Sequence, residues 1–380
     1  MKHWPLTIIG NPENRRVTFF QDALRRQGLA QALVVPYRRL LRERRAQLEA
    51  LGQRGGVVRL ESPGEDAEVE RRLIALGADE EPDQSHPRIG AQQALALPDD
   101  RGRVWYTRQW YLGWRRLMGE LGDLKGAVSY WNDPAQIATM FDKRACHRLF
   151  EAHGVPTTRS LGVVEDYGAL VAAMEALGHQ RVFVKLAHGS SASGVVAYSR
   201  RDGQEMALTS MERVVAEGQV RFYNSLRLRR YGPGRALEEV IDAVCAQGAQ
   251  VEAWIPKLRQ KGRPVDLRVV VIDGRATHVV ARQGRSPMTN LHLGGGRADV
   301  EALEAYVGED RWRSALEASQ AAAAVFPDCL CAGVDVVFDT HGGPAAVIEI
   351  NAFGDLLPRI THGGLDTYEA QVVAWKERAC

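Results

Sequence analysis

The first forty residues alternate between short apolar runs and one amphipathic stretch. The run "LTIIG" at 6–10 predicts a strand, and the polar letters "NPENRR" after it predict a turn. Apolar residues at helical spacing across 17–29 predict a helix that ends at Gly28, and "AQALVVPY" at 30–37 predicts a second strand. A strand, a helix and a strand in this order form a βαβ unit, so we predict a parallel sheet here.

The same periodicity predicts two more helices in the first third of the chain, near 66–76 and near 105–121. The second contains "WYTRQWYLGWRRLMGEL", in which arginines stand between aromatic residues. One interpretation is a helix that packs its Trp and Leu face on the sheet. The other is a cation–aromatic platform for a ligand.

A new structural unit is predicted to begin near residue 131. Asp133 is a good helix cap with Pro134 at the first helical position, and Gly154 ahead of Pro156 ends the predicted helix. Beyond it come β-rich runs joined by tight turns, which are typical of hairpins. The turns are "DG" at 273–274 and "HGG" at 341–343. We therefore predict an α+β second half built on antiparallel strands.

Length and composition narrow the class of protein. At 380 residues the chain is long enough for two or three domains, and 45% hydrophobic with 25% charged residues is a globular composition. No apolar run approaches the roughly 18 residues that span a bilayer, and the N-terminus reads as a strand instead of a signal peptide. The net charge of +2 argues neither for nor against a nucleic-acid partner. The five cysteines lack zinc-site spacing and suit reduced thiols in a cytoplasmic protein. They are Cys146, Cys245, Cys329, Cys331 and Cys380.

One apolar run carries polar side chains on a single face. In "VIEIN" at 347–351, Glu349 and Asn351 are two residues apart, so both point to the same side of a strand. Asp335 in "GVDVVFD" lies on the strand that forms a hairpin with this run. A carboxylate on a core strand needs a partner, and three converging oxygen donors predict a Mg²⁺ or Mn²⁺ site that phosphates complete.

A second set of residues predicts anion binding. Lys185 ends the apolar run "VFVKLA" and is followed by "HGSSASGV", whose backbone N–H groups and hydroxyls suit phosphate oxygens. The alternative for this loop is an ordinary flexible turn. Asp266 and Arg268 share one strand face, with Arg282 beyond the hairpin turn, and two arginines on one sheet surface suit a polyphosphate. The alternative for the arginines is a solvated outer face.

The stretch "SPMTNLHLGGG" follows these arginines. It places Thr289, Asn290 and His292 ahead of three glycines. Such a run of glycines is typical of a loop that approaches a ligand closely.

Taken in order, these pieces resemble the ATP-grasp superfamily, in particular the branch that includes the ribosomal-protein glutamate ligase. The resemblance covers about residues 131–365. It implies an α+β fold in which two α+β lobes sandwich ATP, preceded by a smaller parallel α/β domain. The predicted domains are an N-terminal α/β domain at 1–130, a central lobe with the phosphate-covering loop at 131–248, and a C-terminal lobe with the metal site at 249–380.

The resemblance also implies a role for each matching position. Lys143 in "FDK" and Lys185 resemble the two lysines on the ATP phosphates, and the covering loop is matched by Ser190, Ser191, Ser193 and Gly194. The hinge that meets adenine is matched by Glu252, Trp254 and Ile255. The residues that steady the γ-phosphate and the acyl-phosphate are matched by Arg268, Arg282 and Asn290, and the metal ligands by Asp335, Glu349 and Asn351.

Three features depart from the family pattern. Ala253 stands where the hinge usually has an acidic residue, and Glu252 comes one position earlier. The stretch "PKLRQKGRPV" between the hinge and "DLR" is longer than expected, and "AFGD" follows "EIN" in place of the usual proline and glycine.

The function implied is an ATP-dependent carboxylate–amine ligase that works through an acyl-phosphate and releases ADP and phosphate. Its cofactors are ATP and Mg²⁺ or Mn²⁺, with two ions. The alternatives are a small-molecule kinase on the same scaffold, or a nucleotide-binding protein without catalysis.

The expected partners are small-molecule or peptide carboxylate and amine substrates, with no nucleic acid and no membrane. The oligomeric state is open, a dimer being one option. The arginine-dense segments at 37–45 and 221–235 are either solvated faces or contacts for an anionic substrate such as an acidic peptide.

Overall fold

The computed structural model describes residues 5–64, 66–80, 86–189, 192–354 and 357–379. Within these ranges, none of the helices combines the length and the apolar character needed to cross a membrane. The described residues form three β-sheets, and helices cover them.

The first sheet is parallel and belongs to the N-terminal region. Its strands are β1 (Leu6–Ile9), β2 (Leu33–Val35), β3 (Gly56–Leu60) and β4 (Val128–Tyr130), in the order β2-β1-β3-β4. The helices between them are α1 (Arg15–Arg26), α2 (Tyr37–Arg42), α3 (Arg44–Arg54), α4 (Ala67–Leu76), α5 (Ala91–Leu95) and α6 (Thr107–Gly122). The predicted βαβ unit is confirmed, and the helices predicted near 66–76 and 105–121 are α4 and α6.

The aromatic helix α6 packs into the core. Trp114 and Leu117 are fully buried, and the Trp114 ring lies 5.9 Å from the Tyr37 ring. Gly113 lets α6 approach α4 closely, because a Cβ there would lie 1.9 Å from the carbonyl oxygen of Leu73. The Trp and Leu face of this stretch is therefore buried, and its packing on the sheet, the first of the two interpretations, stays a prediction.

The helix predicted from Pro134 to Gly154 is in fact two helices, so that prediction is wrong. They are α7 (Pro134–Met140) and α8 (Lys143–Ala152). Asp133 caps α7 as expected, accepting from the Gln136 N–H at 3.0 Å. Asp142 then caps α8 by accepting from the N–H groups of Arg144 and Ala145 at 2.9 and 3.1 Å. This second cap restarts the helix and makes Lys143 its first residue.

The second sheet is antiparallel. Its strands are β5 (Arg181–Leu186), β6 (Val196–Arg201), β7 (Gln204–Ala216), β8 (Gln219–Tyr231) and β9 (Ala249–Ala253), in the order β8-β7-β6-β5-β9. The helices of this part are α9 (Tyr167–Leu177) and α10 (Arg235–Cys245). Because β9 pairs with β5, the first five residues after the boundary predicted at 248 lie in this sheet.

The third sheet is also antiparallel, as the hairpin turns predicted. Its strands are β10 (Arg259–Gln260), β11 (Arg263–Ile272), β12 (Arg275–Gln283), β13 (Gly296–Ala298), β14 (Cys331–Val337) and β15 (Ala346–Asn351). The order is β13-β12-β11-β14-β15, and β10 pairs with β11. Asp273 and Gly274 both have positive φ, 50° and 72°, as a two-residue hairpin turn requires.

Three more helices complete the fold: α11 (Val300–Val307), α12 (Glu309–Ala324) and α13 (Thr367–Ala379). The last returns to the N-terminal sheet, where Gln371 accepts from the buried Arg59 at 2.8 Å and Glu369 from Arg26 at 2.7 Å. The domain boundaries at 130 and 248 stay predictions.

Candidate functional site

A cleft lies between the second and third sheets. One wall is formed by β5 and β9, and the other by β11, β12, β14 and β15. The volume of the cleft, including the solvent at its open mouth, is about 880 Å³. Four basic and four acidic side chains line it, so its formal charge is balanced. They are Lys143, Lys185, Lys257, Arg282, Glu252, Asp266, Asp335 and Glu349.

On the β5–β9 wall, Lys185 is paired with Glu252. The Lys185 Nζ donates to Glu252 Oε2 at 2.7 Å, and the Thr158 hydroxyl donates to the same oxygen at 2.9 Å. The side chains of Lys185 and Glu252 are 9% and 4% exposed. Lys185 and Glu252, both predicted to bind the nucleotide, therefore line the cleft, and the Glu252 carboxylate pairs with the Lys185 ammonium group.

The second predicted phosphate lysine joins the two walls. The Lys143 Nζ donates to Glu349 Oε1 at 2.9 Å and to the carbonyl oxygen of Gly189 at 2.5 Å. This reach follows from the cap at Asp142, which places Lys143 at the beginning of α8. A predicted phosphate ligand therefore contacts a predicted metal ligand.

The predicted covering loop is described only in part. Ser190 and Ser191 lie outside the described residues, whereas Ser193 lines the cleft. Gly194 has φ +62°, and a Cβ there would lie 2.5 Å from the Leu186 side chain. The loop therefore turns back tightly over the end of β5, where any larger residue would clash.

The hinge residues divide between the cleft and its supports. Ala253 and Ile255 line the cleft, while the Trp254 ring lies 5.0 Å from the ring of Phe183, which itself lines the cleft. The backbone N–H of Trp254 donates to the carbonyl oxygen of Arg181 at 3.2 Å. Trp254 therefore packs against a residue of the cleft wall, whereas Ile255 itself lines the cleft.

The predicted metal ligands meet across two neighbouring strands. Asp335 lies directly opposite Glu349, and Asn351 lies opposite Gly333, two residues from Asp335 on the same face. The Asn351 amide donates to the Gly333 carbonyl oxygen at 3.3 Å. In the part of the chain that the structure describes, no three His, Cys, Asp or Glu side chains are placed so that they could hold a metal ion together. A metal here would therefore need the amide of Asn351 or a ligand oxygen besides the two carboxylates.

Two arginines hold Asp335. Arg268 Nη2 and Arg282 Nη2 each lie 3.1 Å from a carboxylate oxygen of Asp335. Burial alone would raise the pKa of Asp335, but the charges of Arg268 and then Arg282 outweigh burial and lower it. The carboxylate is therefore ionised at neutral pH, which is the form that binds a metal or orients a guanidinium.

Asp266 is the centre of a third cluster. It accepts from Arg282 Nε at 2.8 Å and from Lys257 Nζ at 2.6 Å, and the Thr289 hydroxyl also donates to it. Burial would raise the pKa of Asp266, but the charges of Arg282 and Lys257 outweigh burial and lower it. Asn290, next to Thr289, lines the cleft, and the side chain of His292 lies outside the described part.

Sequence reasoning missed Lys257. The signal available was a lysine two residues after the hinge residue Ile255, inside the stretch that is longer than the family pattern. Its partner is nine residues away, and the short pairing of β10 with β11 brings the two together.

Several residues of the arginine-dense segments have acidic partners at the surface. Arg42 pairs with Glu68 and Arg229 with Glu212, both at 2.5 Å. These contacts favour the solvated-face interpretation for the paired arginines.

The sequence matches no protein-family model and no curated protein. Its fold, however, is shared with solved structures. D-cycloserine synthetase DcsG is 14% identical, with 98% of this chain and 99% of that chain covered and a TM-score of 0.54. The ATP-grasp ligase PsnB, complexed with minimal precursor, is 15% identical over 99% of both chains, with a TM-score of 0.52.

The macrocyclase MdnC of Microcystis aeruginosa MRC, bound with precursor peptide MdnA, is 10% identical, with 98% of this chain and 99% of that chain covered and a TM-score of 0.51. The chain therefore has the ATP-grasp fold, and the predicted fold class is confirmed. The branch of the superfamily stays a prediction.

Proposed function

We propose that this protein is an ATP-dependent ligase that joins a carboxylate to an amine through an acyl-phosphate. The observation that carries the proposal is the meeting in one cleft of both predicted phosphate lysines, two of the predicted metal ligands and the predicted arginine Arg282. Lys143 is bonded to Glu349, Glu349 lies opposite Asp335, and Asp335 is bonded to Arg282. A triphosphate laid along this row would meet Lys143 at one end and Arg282 at the other, and it would need a metal ion between its oxygens and the two carboxylates.

The lining supports ATP together with a divalent cation. Because basic and acidic side chains balance, a triphosphate would add several uncompensated negative charges to the cleft. Asp335, Glu349 and Asn351 supply oxygen donors, which are the ligands that Mg²⁺ prefers, and these residues would hold the metal. When bound, Mg²⁺ neutralises charge on the phosphates during transfer.

The remaining work belongs to the side chains of the cleft. Lys143 and Lys185 bind the phosphates, and Arg282, steadied by Asp335 and Asp266, faces charge that develops on the transferred group. Arg268, which is not among the described lining residues, acts by holding Asp335. The loop at Ser193 and Gly194 excludes water, because a hydrolysed acyl-phosphate would lose the energy of ATP.

The bonds balance in two steps. A substrate carboxylate oxygen attacks the γ-phosphorus, which forms the acyl-phosphate and breaks the bond to ADP. The amine then attacks the acyl carbon and loses a proton, and phosphate leaves with the original carboxylate oxygen. Two of the proteins with this fold, PsnB and MdnC, were solved with precursor peptides, which keeps peptides among the candidate substrates here.

The test is product analysis with purified protein, Mg²⁺, ATP and pooled amino acids, small carboxylates and acidic peptides. The proposal predicts ADP and free phosphate that rise only when a carboxylate and an amine are both present. Phosphate retained on an alcohol would identify a kinase on the same scaffold, and AMP with pyrophosphate would contradict both functions. Glu349→Ala protein is the control for contaminating ATPase.

A further inference from the structure

Lys257 connects two parts of the cleft that carry different predicted catalytic groups. Its Nζ donates to Asp266 Oδ2 at 2.6 Å and to Thr289 Oγ1 at 2.8 Å. Asp266 in turn accepts from Arg282, and Thr289 directly precedes Asn290. The Lys257 side chain lines the cleft and is only 11% exposed.

We propose that Lys257 is a positioning residue that holds Arg282 and Asn290 in a fixed relation to each other, acting through Asp266 and Thr289. This inference rests on the ligase function proposed above and names one more residue for that reaction. Arg282 lies on β12, and Asn290 lies in the loop between β12 and β13, which pair with each other. The sheet therefore fixes the two ends of this loop, and Lys257 and Asp266 bind Thr289 in its middle.

The loop itself has mostly local bonds. The Ser286 hydroxyl donates to the Met288 carbonyl oxygen at 3.0 Å, and the Gly295 N–H donates to the Asn290 carbonyl oxygen at 3.3 Å. These bonds are internal to the loop, while its attachment to the sheet comes from the pairing of β12 with β13 and from the Gly284 N–H, which donates to the Pro264 carbonyl oxygen at 3.1 Å. Thr289, in the middle of the loop, is 2% exposed, and its bonds to Lys257 and Asp266 attach this middle part, next to Asn290, to β11.

A cation at this position is costly, which argues against simple space filling. Burial lowers the pKa of Lys257, and although Asp266 and Asp335 act to raise it, Arg282 also acts to lower it. An apolar side chain of similar length would fill the space without this cost. The ammonium group, however, can donate to a carboxylate and a hydroxyl together, which is what the link requires.

The lowered pKa gives the link a pH dependence. Lys257 loses its proton at a lower pH than an exposed lysine, so the link weakens as the pH rises toward the ordinary lysine value of 10.5. The charged groups that face it are Asp266, Arg282 and Asp335. An arginine in its place would keep its charge over this range.

The deciding experiment is hydrogen–deuterium exchange on the full chain, which needs no turnover. Lys257→Met should speed exchange about tenfold in the peptide covering 284–296 and leave α12 unchanged. Lys261→Met, the same substitution at an exposed turn four residues away, is the control and should match the wild type. Exchange in Lys257→Met equal to that of the wild type would overturn the proposal.

Kinetics then test the consequence. For Lys257→Met, kcat for ADP release should fall about tenfold or more while the Kd of Mg²⁺-ATP changes less than about threefold. Lys257→Arg should restore most of kcat and move the alkaline limb of the pH profile upward. A weaker Kd with unchanged kcat, or an unmoved limb in Lys257→Arg, would overturn a positioning role.

Two other experimental outcomes also bear on the proposal. If Lys257→Met unfolds the chain, Thr289→Val breaks the same link from the loop side, and it should give the same change in exchange or the proposal fails. If the wild-type protein turns over no ATP with any carboxylate–amine pair, the ligase function alone falls, because the exchange measurement decides the link independently.

Discussion

Asp335 and Glu349 stand directly opposite each other on neighbouring antiparallel strands, and each carboxylate is held by a cation from another element. Arg268 and Arg282 reach Asp335 from β11 and β12, and Lys143 reaches Glu349 from α8. The two carboxylates therefore connect the side of the cleft that carries the predicted phosphate lysine Lys143 to the side that carries Arg282.

Glu349→Ala should abolish ATP turnover without unfolding the protein. The Glu349 side chain is 29% exposed, so its removal exposes little core, but it takes away one of the two carboxylates offered to a metal. We expect turnover to fall more than about 100-fold, since metal ions contribute several kcal/mol to phosphoryl transfer. Phosphate release and a thermal melt measure the two effects, with exposed Glu301→Ala as control. Normal turnover would remove the metal-site claim.

Arg282 should serve chemistry more than nucleotide affinity. Its Nε bonds Asp266 and its Nη2 bonds Asp335, so one guanidinium spans two carboxylates. Arg282→Lys keeps the positive charge, but lysine has one donor group where arginine uses two. We therefore expect kcat to fall about 100-fold, with little change in the Kd of ATP. Calorimetric titration with Mg²⁺-ATP and steady-state rates separate the two. Weak ATP binding with a normal kcat would reassign Arg282 to the nucleotide.

Much of this site could be predicted because it depends on strand geometry. The two-residue spacing of Glu349 and Asn351 and the hairpin with Asp335 follow from local rules, and the structure keeps them. Asp266 and Arg268 likewise share a face on β11.

The parts that could not be predicted depend on tertiary contacts. The Lys185–Glu252 pair forms across two strands more than sixty residues apart, and the Lys257–Asp266 pair needs the unexpected strand β10 to fold the chain back. The break at Asp142 was missed because the apolar spacing continues through it, and only its side-chain cap shows a second helix.

The pair of Lys185 and Glu252 should matter for stability. Glu252→Gln leaves the nearly buried ammonium without its carboxylate, and breaking such a pair costs about 3 kcal/mol of unfolding free energy. Urea unfolding at pH 7 measures it. Glu175→Gln removes one of the two acidic partners of Arg200 at the surface, where the Glu175 side chain is 66% exposed, and is the control with little expected loss. Equal losses in both variants would contradict the account.

Asp266 should contribute to acid sensitivity. Its pKa is lowered on folding, so the stability it supplies is fully present above the ordinary carboxyl value of 3.8 and is lost as the pH falls from there toward the lower folded value. Asp266→Asn has no such proton to bind. The unfolding free energy of the wild type should therefore fall more steeply than that of Asp266→Asn as the pH drops below the ordinary carboxyl value of 3.8. Parallel curves for the two proteins would contradict the assignment.

The central claim is that a substrate carboxylate is activated by phosphorylation, and oxygen transfer tests it directly. Once the product assay has identified a carboxylate–amine pair, the carboxylate is labelled with ¹⁸O and the released phosphate is analysed by mass spectrometry. The account predicts one ¹⁸O atom in each phosphate released, because the acyl-phosphate loses phosphate together with a carboxylate oxygen. Unlabelled phosphate, with product still formed, would show that the carboxylate is never phosphorylated and would contradict the account.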